Sequence, residues 1–156
     1  MTDEKLILAL DASTTHVGWA LMHPGRDDFR VLSLGTYSPE DKEGDWVDRL
    51  GYIAAWLDRV LREWDEHVEG VVYEVATGNR GNMRTNRLLG AVEYVVVSGA
   101  RDWCKKVARV TASQTKAKVR QVTARRISVD PDASEHAIDA VAVGLAFYQR
   151  RRPWER

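Results

Sequence analysis

The segment LILALDA, from Leu6 to Ala12, constrains the fold most, because it is almost continuously apolar and carries a carboxylate near its end. An apolar run of this length is typical of a strand that is buried on both faces of a sheet. A strand buried in this way needs other elements packed on both sides of its sheet. The segment therefore predicts a layered fold in which helices flank a sheet.

The order of the remaining apolar segments predicts the type of sheet. VGWALMH and FRVLSLGTYS have the composition of two further strands, and the turn signal PGRDD separates them. EGVVYEVA and VARVTA predict a fourth and a fifth strand, with helical segments between and after them. Three consecutive strands favour an antiparallel meander, and strand–helix alternation favours parallel strands. The predicted fold class is therefore α/β, with a mixed five-stranded sheet.

Four segments have helical periodicity or composition. The first opens at PEDKEGDWVDRL, and its apolar stripe is predicted to be core. The stripe consists of Trp46, Leu50, Ile53, Leu57, Val60 or Leu61, and Trp64. The basic helix SQTKAKVRQVTARR is expected to be capped by Thr111 or Ser113, and the last helix by Asp132 or Ser134.

Length and composition indicate one domain, spanning residues 1–156 with a basic tail at residues 150–156. No apolar run approaches the roughly 20 residues that a membrane-spanning helix needs, and no signal peptide is predicted. Cys104 is the only cysteine, which excludes an internal disulfide and fits a reducing compartment. We expect a cytoplasmic protein.

The charges are segregated along the chain although they balance, with 23 basic and 23 acidic residues. Residues 27–75 contain thirteen acidic and five basic residues, whereas residues 101–126 contain nine basic residues and one acidic residue. This asymmetry favours a polyanionic partner. Solvated surfaces that happen to cluster would give the same pattern.

Carboxylates mark the ends of two predicted strands and the start of the last helix. Asp11 ends the first strand, Glu74 ends the fourth, and Glu135, His136 and Asp139 begin the helix SEHAIDAVAVGLAFYQ. The carboxyl ends of strands in α/β sheets form the ligand crevice. Each carboxylate alone could be a strand-end cap, and the helical charges could simply suit the helix dipole.

Together these residues indicate a metal site. His136 and Asp139 are three residues apart and share a helix face. Two strand-end carboxylates, a helix carboxylate and an imidazole suit a divalent cation such as Mg²⁺ or Mn²⁺. Two such ions about 4 Å apart would activate a water and stabilise the leaving oxygen of a phosphodiester.

Four segments resemble the RuvC-type Holliday junction resolvases of the RNase H-like superfamily of nucleases. They are LALDASTTHVGWAL, VVYEVATGNRGNMRTNRLLGA, KKVARVTASQTKAKV and HAIDAVAVGLAFY, in the order of the family. The resemblance implies an RNase H-like fold. It also implies cleavage of four-way DNA junctions by paired symmetric nicks that leave 5′-phosphate and 3′-hydroxyl ends. A protein of this kind is expected to associate with the nucleoid of a bacterium or to act in a virus-infected cell.

The resemblance implies roles for the acidic residues. Asp11, Glu74 and Asp139 fall on the family's metal-binding carboxylates. His136 occupies a position that is often acidic in the family, and it is expected to be a metal ligand or a group that orients water. Because imidazole suits Mn²⁺ better than Mg²⁺, the presence of His136 predicts a preference for Mn²⁺.

The resemblance also implies DNA-binding residues. Lys105 and Lys116 match lysines of the family that approach the scissile phosphate. Lys116 is also a candidate catalytic group. Lys118 is an alternative to Lys116 for the lysine on the helix after the fifth strand. In the loop after Glu74, Arg80, Asn82 and Arg84 are expected to contact nucleic acid. This loop lacks the aromatic residue that family members stack on a base, and Tyr73 lies on the strand instead.

The resemblance further implies a homodimer formed through the apolar helix from about Arg87 to Cys104, whose two sites match the symmetry of the junction. A branch-migration motor as a further partner stays open. Other interpretations also stay open: a RuvC-like nuclease that processes ribosomal RNA precursors or branched DNA, and an inactive nucleic-acid-binding module. The DASTT turn is also similar to the phosphate-binding turn of actin-like kinases and ATPases, although those need two such domains.

Overall fold

The computed structural model describes residues 5–23, 29–39, 44–75, 83–124 and 132–148, together with residue 154. The strands are β1 (Leu6–Ala12), β2 (Val17–His23), β3 (Arg30–Tyr37), β4 (Val68–Val75) and β5 (Lys106–Thr111). The helices of the described ranges are α1 (Trp46–Glu63), α2 (Met83–Asp102), α3 (Ala112–Ala124) and α4 (Glu135–Tyr148). None of these helices is long and apolar enough to cross a membrane. The predicted order of elements is confirmed.

The five strands form one sheet in the order β3-β2-β1-β4-β5. β1, β2 and β3 pair in antiparallel fashion, whereas β4 is parallel to both β1 and β5. The predicted mixed sheet, with an antiparallel meander followed by two parallel strands, is therefore confirmed. β1 lies between β2 and β4, which explains why its sequence is apolar on both faces.

Each face of the sheet carries its own apolar core. On one face, side chains such as Ile7, Ala9 and Met22 pack against α4 and α3. On the other face, Leu8 and Leu10 pack with residues of α1 and α2. The interior of α4 is buried from Ala137 to Ala146 with the single exception of Asp139, so this helix lies directly on the sheet.

Helix α1 buries Ile53, Leu57 and Leu61 of the predicted stripe, together with Trp56. The expectation that Trp46 belongs to the core is wrong, because its side chain is 38% exposed. Trp46 is the first residue of the helix, and full burial begins only at Ile53. The first turns of α1 therefore extend beyond the packed layer.

The helix caps decide between the alternatives left open by the sequence. Thr111 caps α3, because its hydroxyl accepts from the Gln114 N–H while the Gln114 side chain accepts from the Thr111 N–H. Ser134 caps α4, because its hydroxyl accepts from the Ala137 N–H at 3.1 Å. The Ser134 hydroxyl also lies 2.6 Å from that of Thr36, which ties the start of α4 to β3.

Candidate metal centre and adjoining cleft

The pairing of β1 with β4 places two carboxylates next to each other. Leu10 is opposite Tyr73 in the parallel ladder, so Asp11 and Glu74 follow side by side on strands about 4.8 Å apart. Leu10 and Tyr73 point into the core shared with α1 and α2. Because side chains alternate along a strand, Asp11 and Glu74 point to the opposite face, where α3 and α4 lie.

The start of α4 adds His136 and Asp139 to this edge of the sheet. Asp139 is half-buried within a helix whose neighbouring residues are fully buried, so its carboxylate is held at the border of the core. Gly18, which pairs with Asp11 across β1 and β2, allows the helix to come this close. A β-carbon at Gly18 would collide with the backbone of His136.

His16 also belongs to this cluster, and the sequence analysis did not identify it. The turn between β1 and β2 is closed by a hydrogen bond from the Ser13 N–H to the His16 carbonyl oxygen, at 2.8 Å. Nδ1 of His16 lies 3.1 Å from the Thr15 hydroxyl. The imidazole ring stacks on that of His136, with ring centroids 3.4 Å apart and an interplanar angle of 26°.

Asp11, His16 and His136 each offer one ligand atom, and these three atoms lie within 4.8 Å of one another. A spacing of this kind allows one cation to be contacted by all three side chains with small adjustments. The donor set of one carboxylate and two imidazoles fits a divalent metal ion. The residues present therefore fit the metal that the resemblance implies.

The pKa of each carboxylate in the site is raised. The pKa of Glu74 is raised from 4.5 to about 7, first by burial and then by the negative charges of Asp11 and Asp139, against a lowering by Lys116. Burial is also the main reason that the pKa values of Asp11 and Asp139 are raised. Mutual repulsion of buried carboxylates is relieved by a bound cation, which is the second observation that fits a metal.

An open cleft of about 390 Å³ adjoins the carboxylates. It is lined by Glu74, Ala112, Thr115, Lys116, Val119 and Asp139. The exposed side chain of Lys116 places a positive charge beside two carboxylates. An anionic group such as a phosphate would meet both the carboxylates and this lysine in the cleft.

The structure thus brings together five of the predicted residues: Asp11, Glu74, His136, Asp139 and Lys116. Lys118, the rival of Lys116 on α3, does not line the cleft. Arg80 and Asn82 lie outside the described residues, and so does the side chain of Arg84, whose backbone belongs to the first turn of α2. Their expected contacts with nucleic acid stay predictions.

The placement of Lys105 differs from the expectation. β5 begins opposite Gly70, whereas Glu74 is opposite Val110, so Lys105 lies at the far end of the parallel strands. Five residues of strand separate the two ends by about 17 Å. The Lys105 ammonium lies 2.7 Å from the Asp65 carboxylate, and its side chain is only 9% exposed. Lys105 therefore cannot approach a phosphate that is held beside Asp11 and Glu74.

Tyr73 does not replace the aromatic residue that the loop lacks. Its side chain is buried, and its hydroxyl donates a hydrogen bond of 2.9 Å to the Glu93 carboxylate on α2. It faces away from the carboxylate edge, on the side of α1 and α2. A base could not stack on it without disrupting the core.

Comparison with solved structures identifies the fold. The chain matches Thermus thermophilus RuvC in complex with a Holliday junction substrate, with a TM-score of 0.75, 20% identity and 91% of each chain covered. The chain has the RuvC fold. The fold also matches the yeast mitochondrial Holliday junction resolvase, with a TM-score of 0.65 and 9% identity, covering 93% of this chain and 78% of that one.

A viral protein matches the fold at lower similarity. The fowlpox virus resolvase in complex with its substrate Holliday junction DNA gives a TM-score of 0.52 and 10% identity, with 92% of this chain and 97% of that one covered. No protein-family model matches the sequence. No curated protein matches it either.

Proposed function

We propose that this chain is a metal-dependent, structure-selective endonuclease that resolves four-way (Holliday) DNA junctions by paired symmetric nicks. The convergence of Asp11, Glu74, Asp139 and His136 at one edge of a RuvC fold carries this proposal. Similarity to proteins whose structures were solved with Holliday junction DNA supports the four-way junction as the substrate. We propose that the products carry 5′-phosphate and 3′-hydroxyl ends.

In this proposal Asp11, Glu74, His136 and Asp139 hold Mg²⁺ or Mn²⁺. The bound metal would supply activation of the attacking water and stabilisation of the departing 3′ oxygen. The fixed backbone positions of Asp11 and Glu74 on neighbouring strands preorganise the carboxylates, so little reorganisation is needed during the reaction. α4 positions His136 and Asp139 through its contacts with the sheet.

Lys116 acts on the substrate side of the same site. Its ammonium, in the cleft with Glu74 and Asp139, would contact a non-bridging oxygen of the scissile phosphate. A positive charge at that point stabilises the extra negative charge of the transition state. Its closeness to Glu74 also favours the ionised carboxylate that a metal ligand requires.

A homodimer would supply the two sites that paired nicks require. Helix α2 offers a surface for this contact, because Arg87, Gly90 and Tyr94 are exposed at spacings of three and four residues. Contacts with DNA would be dominated by phosphates, so binding should weaken steeply with salt, and selectivity should come mainly from junction shape.

The decisive experiment compares cleavage of an immobile four-way junction with cleavage of a matched linear duplex, each in Mg²⁺ and in Mn²⁺. We expect symmetric nicks near the branch point of the junction and little cleavage of the duplex. Asp139→Asn should abolish the nicks while leaving junction binding measurable. Equal cleavage of both substrates would indicate a general nuclease instead. Binding without cleavage in either metal would indicate an inactive module.

A further inference from the structure

The imidazole of His16 is the one side chain in the carboxylate cluster that the proposed mechanism does not use. It lies in the turn between β1, which carries Asp11, and β2. It is partly buried, and its ring is stacked on that of His136.

The turn fixes the orientation of the His16 ring. The Ser13 hydroxyl accepts from the His16 backbone N–H at 3.2 Å, and Nδ1 lies 3.1 Å from the Thr15 hydroxyl. When Nδ1 carries the proton and donates to that hydroxyl, Nε2 carries the lone pair. Histidines that bind metals are oriented in this way by a hydrogen bond at the other ring nitrogen.

A further observation places His16 within reach of the proposed metal site. One of its ring nitrogens lies within 4.8 Å of the ligand atoms of both Asp11 and His136.

We propose that His16 is a second imidazole ligand, so that one cation is bound by Asp11, His16 and His136. The inference rests on the metal dependence proposed above, and it concerns which ion the site selects. Imidazole nitrogen favours first-row transition ions, whereas Mg²⁺ prefers oxygen ligands and keeps its waters. A site with two imidazoles selects Co²⁺ and Mn²⁺ over Mg²⁺ more strongly than a site with His136 alone.

The test is direct metal binding by the full chain without DNA. Co²⁺, Mn²⁺ and Mg²⁺ are titrated by calorimetry into the wild type, His16→Gln and His67→Gln. His67 is the matched control, because it is an exposed histidine just before β4, at the other end of the sheet. We expect His16→Gln to weaken Co²⁺ binding by about 10- to 100-fold and Mg²⁺ binding by less than about 3-fold. His67→Gln should bind all three ions like the wild type.

A spectroscopic count of bound imidazoles provides the second readout. In the Co²⁺ form, each ligating histidine gives a paramagnetically shifted, exchangeable N–H proton resonance. We expect two such resonances in the wild type and one in His16→Gln. His16→Asp, which keeps a ligand atom at the turn, should restore binding and shift selectivity towards Mg²⁺. This variant also separates loss of a ligand from damage to the turn.

Equal Co²⁺ affinity and an equal number of shifted resonances in wild type and His16→Gln would overturn the inference. That result would leave the proposed nuclease function untouched, because junction cleavage is measured separately. Conversely, the chain could bind Co²⁺ through two imidazoles and fail to cut four-way junctions. That result would contradict the proposed nuclease function and support the proposed cation site.

Discussion

The carbonyl group of His136 occupies the space that a β-carbon would need on Gly18. Gly18 is paired with Asp11 across the β1–β2 ladder, so this contact sets how close the first turn of α4 comes to the strand-end carboxylate. The absence of a side chain at one residue of β2 therefore controls the spacing between ligands that come from β1 and α4.

Replacing Gly18 with alanine should push the start of α4 away from β1. We expect Gly18→Ala to lower junction cleavage by about 100-fold, because small displacements of catalytic groups are costly. Overpacking should also lower the free energy of unfolding by about 1–3 kcal/mol. Cleavage rates and urea unfolding measure the two effects.

Gly51→Ala is the matched control for this substitution. Gly51 is exposed within α1, and a β-carbon there would contact nothing within 4 Å. Alanine is favoured over glycine inside a helix, so we expect a gain of about 0.5–1 kcal/mol and unchanged cleavage. Wild-type cleavage by Gly18→Ala would show that the close contact does not position the site.

The raised pKa of Glu74 predicts how the stability of the metal-free protein depends on pH. Because this pKa is about 7 in the folded chain and ordinarily 4.5, the folded state retains a proton that the unfolded chain releases first. The stabilising effect is complete below about pH 4.5 and is lost as the pH rises through about 7. Stability in EDTA should therefore fall over this interval.

Glu74→Gln removes this dependence, because glutamine does not ionise. After allowance for screening of the half-exposed carboxylate, we expect the variant to be about 1 kcal/mol more stable than wild type near pH 8 and no more stable near pH 4.5. Urea unfolding at both pH values measures the difference. Stability curves that run parallel across the interval would contradict the burial-driven shift.

Lys116 and Lys118 should respond differently to substitution, although both lie on α3. Only Lys116 lines the cleft with Glu74 and Asp139. We expect Lys116→Met to slow single-turnover cleavage by about 100-fold with a small change in junction affinity. Lys118→Met should leave the cleavage rate of bound junction within a few-fold of wild type. The reverse ranking would assign the catalytic charge to Lys118.

Tyr94 provides a test of the proposed dimer. Its side chain is 75% exposed on α2, on the helix face that also carries the exposed residues Arg87 and Gly90. We expect Tyr94→Glu to shift the sedimenting species from dimer to monomer and to reduce paired nicking to independent single nicks. Ala55→Glu, on the exposed side of α1, should leave the dimer intact. A monomeric wild type would contradict the proposed assembly.

The sequence was informative wherever local pattern determines structure. The apolar run of β1 and the alternation of strands and helices could be predicted, and the caps of α3 and α4 could each be reduced to two candidates, because each depends on neighbouring residues. Asp11 and Glu74 could be proposed as one site, because parallel strands end at a common edge. Asp139 was added by its place in the last helix and by the resemblance to the family, and its placement also requires α4 to pack on the sheet.

The remaining differences depend on contacts between distant parts of the chain. His16 was missed because its position beside His136 depends on how α4 packs against the β1–β2 turn. The signal in the sequence was a histidine in a short turn that directly follows a candidate metal carboxylate. Lys105 was assigned to the site by resemblance to the family, although it precedes β5 and so lies at the strand end opposite the carboxylates. Trp46 was assigned to the core because periodicity does not show where a helix leaves the sheet.

The acidic ligands come from the first strand, the fourth strand and the last helix, so no short portion of the chain contains the site. During synthesis, β1 and β4 can pair long before Asp139 has emerged from the ribosome, and an incomplete chain holds two carboxylates without the third. A chain truncated before α4, or one whose last helix has not yet docked, would therefore lack the complete ligand set. The proposed DNA cleavage is thus expected to require the finished fold, and partly folded chains should not nick the DNA they encounter.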